Sequence, residues 1–366
     1  MSVGAPGPFE IRPGDRVLVT GAGGFVGSAV TRALLARSAA VAVMLQPGSA
    51  TSNIDGLEVE RIEADVRDRI AVFDAVRGAR FVFHAAALYR FWAPDRAEFY
   101  EVNVGGTLNV LDAAARAGCA RVCYTSTVGT IGLDSTEAGR PADEQSWARI
   151  EHLFGSYKRS KYVAEHEALR RAAEGLPVVL VQPTLPVGPR DSAPTPTGRT
   201  VLDFLNGRIP GFFDTALNVV DVDDLAAGHV LALEHGRQGH SYILGGENLS
   251  FRAILDILAD ETGLPRVKAR VPAGLALSAA WVSEIAEGRL RHKQPSVPLE
   301  ATRMATTKMV YSDDRARSEL GYCSRPAREA LVRSARWFAD NGYVVSRRLS
   351  RIRWRDVPGP TERGRG

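Results

Sequence analysis

A short apolar run, Val17-Leu18-Val19, leads directly into Thr20-Gly21-Ala22-Gly23-Gly24-Phe25-Val26-Gly27 and then a helical pattern over Val26–Arg37. No other segment limits the possible folds as tightly as this strand–turn–helix. Gly21 permits a tight turn, Gly24 lets a pyrophosphate approach the backbone, and Gly27 lets the helix pack against the strand. The helix N-terminus, here Phe25 and Val26, offers unpaired N–H groups to an anion. The segment reads as a dinucleotide site opening a parallel α/β sheet.

The pattern continues downstream. Strand signals at 41–45, 59–64, 81–84, 122–125 and 176–182 alternate with helical ones at 69–77, 96–117 and 150–174. That order predicts an α/β fold, a doubly wound parallel Rossmann sheet with helices on both faces. After Pro189 the pattern changes to a Pro/Thr-rich loop, Asp191–Gly198, then strand 218–224, helix 224–235, strand 241–244, helix 250–262 and a closing helix near 326–341. The expected division is an N-terminal extension (1–14), a dinucleotide-binding domain (15–189) and a smaller α/β substrate-binding lobe (190–345). Segments of that lobe near 215–247 return to the sheet, and a basic, disordered tail (346–366) follows.

Composition narrows the class. The 366 residues are 45% hydrophobic and 24% charged, as in a soluble globular protein. The net charge of +4 is concentrated in the tail, where seven arginines between 347 and 365 face only Asp356 and Glu362. The body is near neutral, which argues against a nucleic-acid partner. Leu349, Ile352 and Trp354 among those arginines leave peripheral membrane contact by the tail as an alternative to a solvated end. The longest apolar helical stretch, 272–286, is broken by Ser278 and Ser283 and is too short to span a bilayer. Three cysteines, 119, 123 and 323, make no disulfide framework, and Cys123 reads as a buried thiol. With no signal-peptide core, a cytoplasmic location is expected. The seven histidines show no metal-ligand spacing, so no metal is expected, and His84 reads as a core residue.

Tyr157 and Lys161 stand four residues apart on the 150–174 helix and share a face. A phenol of ordinary pKa about 10 is a poor base near neutrality, and a fixed cation beside it favours the phenolate. Thr125-Ser126-Thr127 closes a strand with three hydroxyls, one of which is suited to holding a substrate oxygen beside Tyr157.

These features together resemble the extended short-chain dehydrogenase/reductase family, through its TGxxGxxG fingerprint at Thr20–Gly27. The resemblance continues through Asp65-Val66, His84-Ala85-Ala86-Ala87, Asn103–Thr107, Pro183–Pro189 and Glu319–Tyr322, and covers residues 15–343. It is nearest to the branch of dihydroflavonol-reductase-like proteins and the group named hopanoid-associated sugar epimerases. The latter likeness lies in Phe91-Trp92-Ala93-Pro94, Tyr157–Lys161, Thr195–Arg199 and Gly245–Asn248. The resemblance implies that Asp65 and Val66 lie by the adenine and that Ala85, Ala86, Ala87 and Pro183 line the cofactor. It makes Thr127 the catalytic hydroxyl and Lys161 a ligand of the nicotinamide ribose. Asn103 is then either a relay residue or a structural amide. It also implies a homodimer through helices 96–117 and 150–174.

An acid near the end of the second strand binds the ribose 2′-hydroxyl in NAD sites. Gln46 occupies that region, which favours NADP and leaves NAD open. Tyr89, Trp92, Ser126, Arg199 and Phe204 are the candidate substrate contacts. An alcohol–ketone oxidoreductase acting on a small apolar or ring-bearing molecule is the favoured reading. A nucleotide-sugar epimerase/dehydratase with tightly bound NAD, and a non-catalytic cofactor-binding protein, are the alternatives.

Overall fold

The computed structural model describes residues 9–90, 93, 95–137, 139–283, 287 and 299–355. The first half runs β1 (Arg16–Thr20), α1 (Phe25–Leu35), β2 (Ala40–Leu45), β3 (Glu60–Glu63), α2 (Arg69–Val76) and β4 (Phe81–His84). It continues with α3 (Ala97–Tyr100), a π-helical turn (Glu101–Gly105), α4 (Gly106–Ala117), β5 (Arg121–Thr125), α5 (Asp134–Glu137), α6 (Ser156–Ala173) and β6 (Val178–Pro183). Then come β7 (Leu185–Val187), α7 (Pro196–Leu205), β8 (Ala216–Asp221), α8 (Val222–His235), β9 (Ser241–Leu244), β10 (Glu247–Ser250) and α9 (Phe251–Thr262). The last are α10 (Ala273–Ser283), α11 (Leu299–Thr306), α12 (Asp314–Leu320), α13 (Ala327–Asp340) and α14 (Ser346–Leu349).

Among the described residues, seven strands form one sheet in the order β3-β2-β1-β4-β5-β6-β9. All its pairings are parallel. Strands buried on both faces need continuous apolar runs, which is why 17–19, 41–45 and 178–181 lack polar alternation. The pleat divides each run between two cores. Val17, Val19, Phe81, Phe83 and Val179 pack with α1 and α8 through Val30, Leu34, Leu225 and Leu233. Leu18, Val82, Val122 and Leu180 pack with α2, α4 and α6 through Val72, Leu111, Ala164 and Ala168. The expected parallel α/β architecture is therefore the observed one.

A second sheet, β10-β8-β7, mixes an antiparallel and a parallel pairing and carries the lobe of α7, α9 and α13. β7 lies before residue 190, and β9 leaves the lobe to join the main sheet. A charge cluster joins the two parts. Asp221, wholly buried at the start of α8, and Asp223 both accept from Arg333 of α13, while Arg325 grips Asp224 at 2.7 Å.

Three sequence expectations shift. The helix anticipated at 150–174 begins only at Ser156, because Gly155 sits at φ +88° and breaks the register. Helix α7 begins inside the stretch read as loop. Thr195 caps it by accepting the Gly198 N–H at 3.2 Å, and Pro196 occupies the first turn. The short β7, β10, α11 and α12 carried too few residues for a periodicity to show.

The tail expectation is also corrected. Residues 346–355 fold onto the lobe, and 356–366 lie outside the described residues. The chain donates to carbonyls left open at helix C-termini. Arg348 Nε bonds Leu205 O at 2.9 Å at the end of α7, and the N–H of Arg353 bonds Thr262 O at 2.7 Å at the end of α9. Ile352 is buried in the lobe core and Trp354 packs against it. Two of the three apolar side chains behind the membrane-contact reading are thus engaged within the fold. No helix among the described residues is long and apolar enough to cross a membrane. Ile352→Ala is expected to destabilise the protein by about 2 kcal/mol, read as a lower urea midpoint at unchanged slope; an unshifted midpoint would show the segment adds no stability.

Candidate functional site

The crossovers from β1 to β3 and from β4 to β6 run in opposite directions, leaving a crevice at the carboxyl ends of β1 and β4. The glycine turn fills one wall. Gly21 sits at φ +72°, and a Cβ there would come within 2.7 Å of the Ala86 backbone. A Cβ on Gly27 would meet Gly21 O at 2.2 Å, so α1 closes on β1 only without a side chain at that position. Gly24 stands at the N-cap of α1 with no side-chain cap and no acid in the first turn. This backbone cradle, electropositive at the helix terminus, fits the pyrophosphate of a dinucleotide.

The other predicted cofactor positions lie at or just beyond the carboxyl ends of β2, β3, β4 and β6. The N–H groups of Ala85 and Ala86 bond Thr20 O and Thr20 Oγ1, each at 3.2 Å, and Ala87 follows them out of β4. Val66 is buried against Gly106. Asp65 pairs with Arg67 at 2.7 Å, and that hydrogen bond holds its carboxyl below the usual range. Pro183 ends β6 buried, while Gln46 is exposed after β2. Phe25 is buried and Val26 half-buried on α1. Asn53, which sequence reasoning passed over, latches the loop after β2 to the turn by donating to Gly23 O at 3.0 Å.

Tyr157 lies in the first turn of α6 and is buried, with the Tyr89 ring centroid 4.8 Å from its own. Burial pushes the phenol above its ordinary range, a side-chain hydrogen bond with Thr127 opposes that rise, and the Glu300 carboxylate adds to it. The sequence had assigned the opposing role to Lys161. The structure gives Lys161 another contact: Nζ donates to Thr125 O at 2.7 Å and stands 4.5 Å from the Tyr124 ring centroid. Burial lowers its ammonium to about 7.

Asn103 lies in the π-helical turn, wholly buried. Its Oδ1 accepts the Leu88 N–H at 2.7 Å and its Nδ2 donates to Ser160 Oγ at 2.9 Å. Ser160 Oγ in turn donates to Tyr157 O at 2.9 Å. The amide thereby ties the loop after β4 to the turn that carries Tyr157. His84 is satisfied at both nitrogens, as its core reading anticipated. The Thr107 hydroxyl donates to Asn103 O at 2.6 Å, so His84 Nε2 must donate to Thr107 Oγ1 (3.0 Å) while Nδ1 accepts from Thr20 Oγ1 (2.7 Å). Burial keeps this imidazole neutral, near pKa 3.

Two further buried groups escaped the sequence. His229 of α8 donates from Nδ1 to Leu225 O at 2.8 Å, leaving Nε2 to accept from Thr125 Oγ1 at 3.2 Å. Glu165 accepts from Ser126 Oγ at 2.5 Å, Thr130 Oγ1 at 2.7 Å and Gln182 Nε2 at 2.8 Å. Its position, another four residues along the face of Tyr157 and Lys161, was the available signal.

The substrate-side candidates separate. Tyr89 stands at the phenol. Arg199 is exposed on α7. Phe204 is buried in the lobe core with Leu205 and Phe338. Ser126 spends its hydroxyl on Glu165, facing inward rather than toward a substrate. Trp92 lies outside the described residues.

The model of the NAD dependent epimerase/dehydratase family matches residues 17–245. The chain is 40% identical over 334 residues to a Synechocystis protein whose provisional name is dihydroflavonol 4-reductase, covering 90% of this chain and 96% of that one. It is 34% identical over 329 residues to sterol demethylase protein B of Methylococcus capsulatus, covering 89% and 99%. A nucleoside-diphosphate-sugar epimerase from Pseudomonas aeruginosa superposes with a TM-score of 0.75 at 26% identity, covering 90% of this chain and 99% of that one. Gly27→Ala is expected to weaken binding of a nicotinamide dinucleotide at least tenfold by calorimetry, since only backbone faces the added methyl; unchanged affinity would remove the turn from the site.

Proposed function

We propose that this chain, which belongs to the NAD dependent epimerase/dehydratase family and is an NAD(P)-dependent oxidoreductase or epimerase of the extended short-chain dehydrogenase/reductase type, interconverts an alcohol and a ketone. Its substrate in this reading is a small apolar or ring-bearing molecule. The buried Tyr157 phenol, flanked by Thr127 and the Tyr89 ring, carries this reading. The Tyr89 ring beside a proton-transferring hydroxyl suits a neutral ring-bearing ketone. The chemistry named for the Synechocystis relative, reduction of a dihydroflavonol, supports the same direction. The approach to β8 supports it too. Thr215 Oγ1 there donates to Thr307 O at 2.6 Å and Asn218 Nδ2 to Asn248 Oδ1 at 2.8 Å, so Thr215–Asn218 offers no cation to a diphosphate.

Gly21, Gly24, Phe25, Val26 and Gly27 would hold the cofactor pyrophosphate, with Ala85–Ala87, Val66 and Pro183 along its length. When bound, the nicotinamide supplies hydride for ketone reduction or takes it in alcohol oxidation. Thr127 holds the substrate oxygen by its hydroxyl. Tyr157 gives that oxygen a proton in reduction and removes it in oxidation. Lys161, an ammonium fixed at the end of β5, orients the nicotinamide ribose and favours the phenolate once a proton has left. Asn103 holds the Tyr157 turn in place through Ser160. NADP is the proposed cofactor, because Gln46 puts no acid at the 2′-position; the NAD-bound epimerase of Thermus thermophilus, at 26% identity, keeps the NAD alternative in view.

Nucleotide-sugar epimerisation is the second reading, supported by the likeness to the Pseudomonas epimerase. Stoichiometric consumption of NADPH with a ketone such as a dihydroflavonol marks the reductase; an isomeric product with catalytic cofactor marks the epimerase. Tyr157→Phe is expected to lower turnover at least a thousandfold while NADPH affinity stays within twofold; near-normal turnover would remove Tyr157 from the chemistry. Calorimetric titration should show NADPH binding tighter than NADH, and the reverse order would overturn the NADP assignment.

A further inference from the structure

We infer that Glu165 is a positioning residue of this active site: its carboxylate, through Ser126 and Thr130, holds the turn bearing Thr127 against the helix bearing Tyr157, and it stands as the buried counter-charge to Lys161. The inference rests on the proposed roles of Thr127, Tyr157 and Lys161. Glu165 is 1% exposed on α6, one helical turn beyond Lys161 and two beyond Tyr157, so all three project from one face. The carboxylate does not face water. It is enclosed by the end of β5, the 126–130 turn and β6.

Its partners are specific. Ser126 Oγ and Thr130 Oγ1 both reach Oε2, while Gln182 Nε2 reaches Oε1. Ser126 and Thr130 bracket Thr127, and the Thr130 hydroxyl, with one proton to give, stands 2.7 Å from both Glu165 Oε2 and Thr127 O. A carboxylate bonded on both sides of Thr127 restricts where that hydroxyl can point. Burying such a group is costly unless it is paired, so a knot of this kind persists where it secures a geometry or balances a charge. Lys161 is itself 2% exposed and lies one helical turn away on the same face, so charge balance applies although no direct ion pair joins the two side chains. Burial raises the Glu165 carboxyl and lowers the Lys161 ammonium, and each opposes the other's shift. The other titratable groups around the pair are Tyr124 on β5, His84 on β4, and Tyr157 and His166 on α6.

Glu165→Gln keeps the shape and removes the charge, because its amide can face the two hydroxyls while its oxygen faces Gln182. Thr130→Val keeps the charge and removes one tether. Ketone turnover with NADPH across pH 6–10 is measured for both variants with a dihydroflavonol probe. The Lys161 ammonium is titrated separately by NMR of protein carrying lysine labelled with carbon-13 at Cε; with five lysines in the chain, the spectrum is simple. For Glu165→Gln the expected result is kcat lowered by about ten- to a hundredfold with KM within twofold. The Lys161 titration and the basic limb of the rate profile should both move to lower pH, because the carboxylate that favours the ammonium is gone. Thr130→Val should lower kcat while leaving the Lys161 titration in place. Unchanged kcat in both variants, or a loss confined to thermal stability, would overturn the positioning role. A Lys161 titration unmoved in Glu165→Gln would overturn the counter-charge. If the wild type turns over no ketone, the proposed reaction fails while the lysine titration still decides the pairing of Glu165 with Lys161.

Discussion

The reversal of strand order between β1 and β4, whose crossovers lead away to opposite sides, is the constraint on which the site depends. Parallel strands end together at one edge, and crossovers leading away on opposite sides cannot cover that edge between them. The gap is then shaped from below by close backbone packing. Gly21 lies against the Ala86 backbone and Gly27 against Gly21 O, so β1, α1 and the exit of β4 form one rigid unit. The α1 terminus, with its unpaired N–H groups, is held facing the gap.

Buried hydrogen-bond chains carry that rigidity to the chemistry. One runs from Thr20 through His84 and Thr107 to the backbone of Asn103, whose side chain continues to Ser160 and the Tyr157 carbonyl. It joins the end of β1, where the glycine-rich turn starts, to the helix bearing Tyr157. A second runs from His229 to Thr125, whose carbonyl receives Lys161. In a low-dielectric interior such fully partnered chains resist deformation because an unpaired polar group is costly there. Tyr157 and Lys161 are therefore each anchored by buried groups from other parts of the chain.

Much of the fold could be read directly from the chain. Continuous apolar runs at 17–19, 41–45 and 178–181 imply strands covered on both faces, and helical patterns between them imply crossovers. The lobe was less legible. β7 and β10 span three and four residues, shorter than any alternation can establish. The Arg-rich end was misjudged because composition counts charge and not contact. Ile352 and the carbonyls at the ends of α7 and α9 are brought together only by the folded lobe.

The site divides in the same way. The glycine spacing and the interval from Tyr157 to Lys161 are local, so sequence alone determined a strand–turn–helix cradle and a phenol and an amine on one helical face. Local spacing has no access to what faces those groups from elsewhere in the chain. Tertiary structure decided that Lys161 bonds the end of β5, that Thr127 tempers the rise of the phenol, and that Phe204 and Ser126 turn inward. It also placed Glu165 between two hydroxyls and an amide drawn from two other segments. Burial and hydrogen-bond partnership arise from residues distant in sequence, and these set the protonation and orientation that chemistry requires.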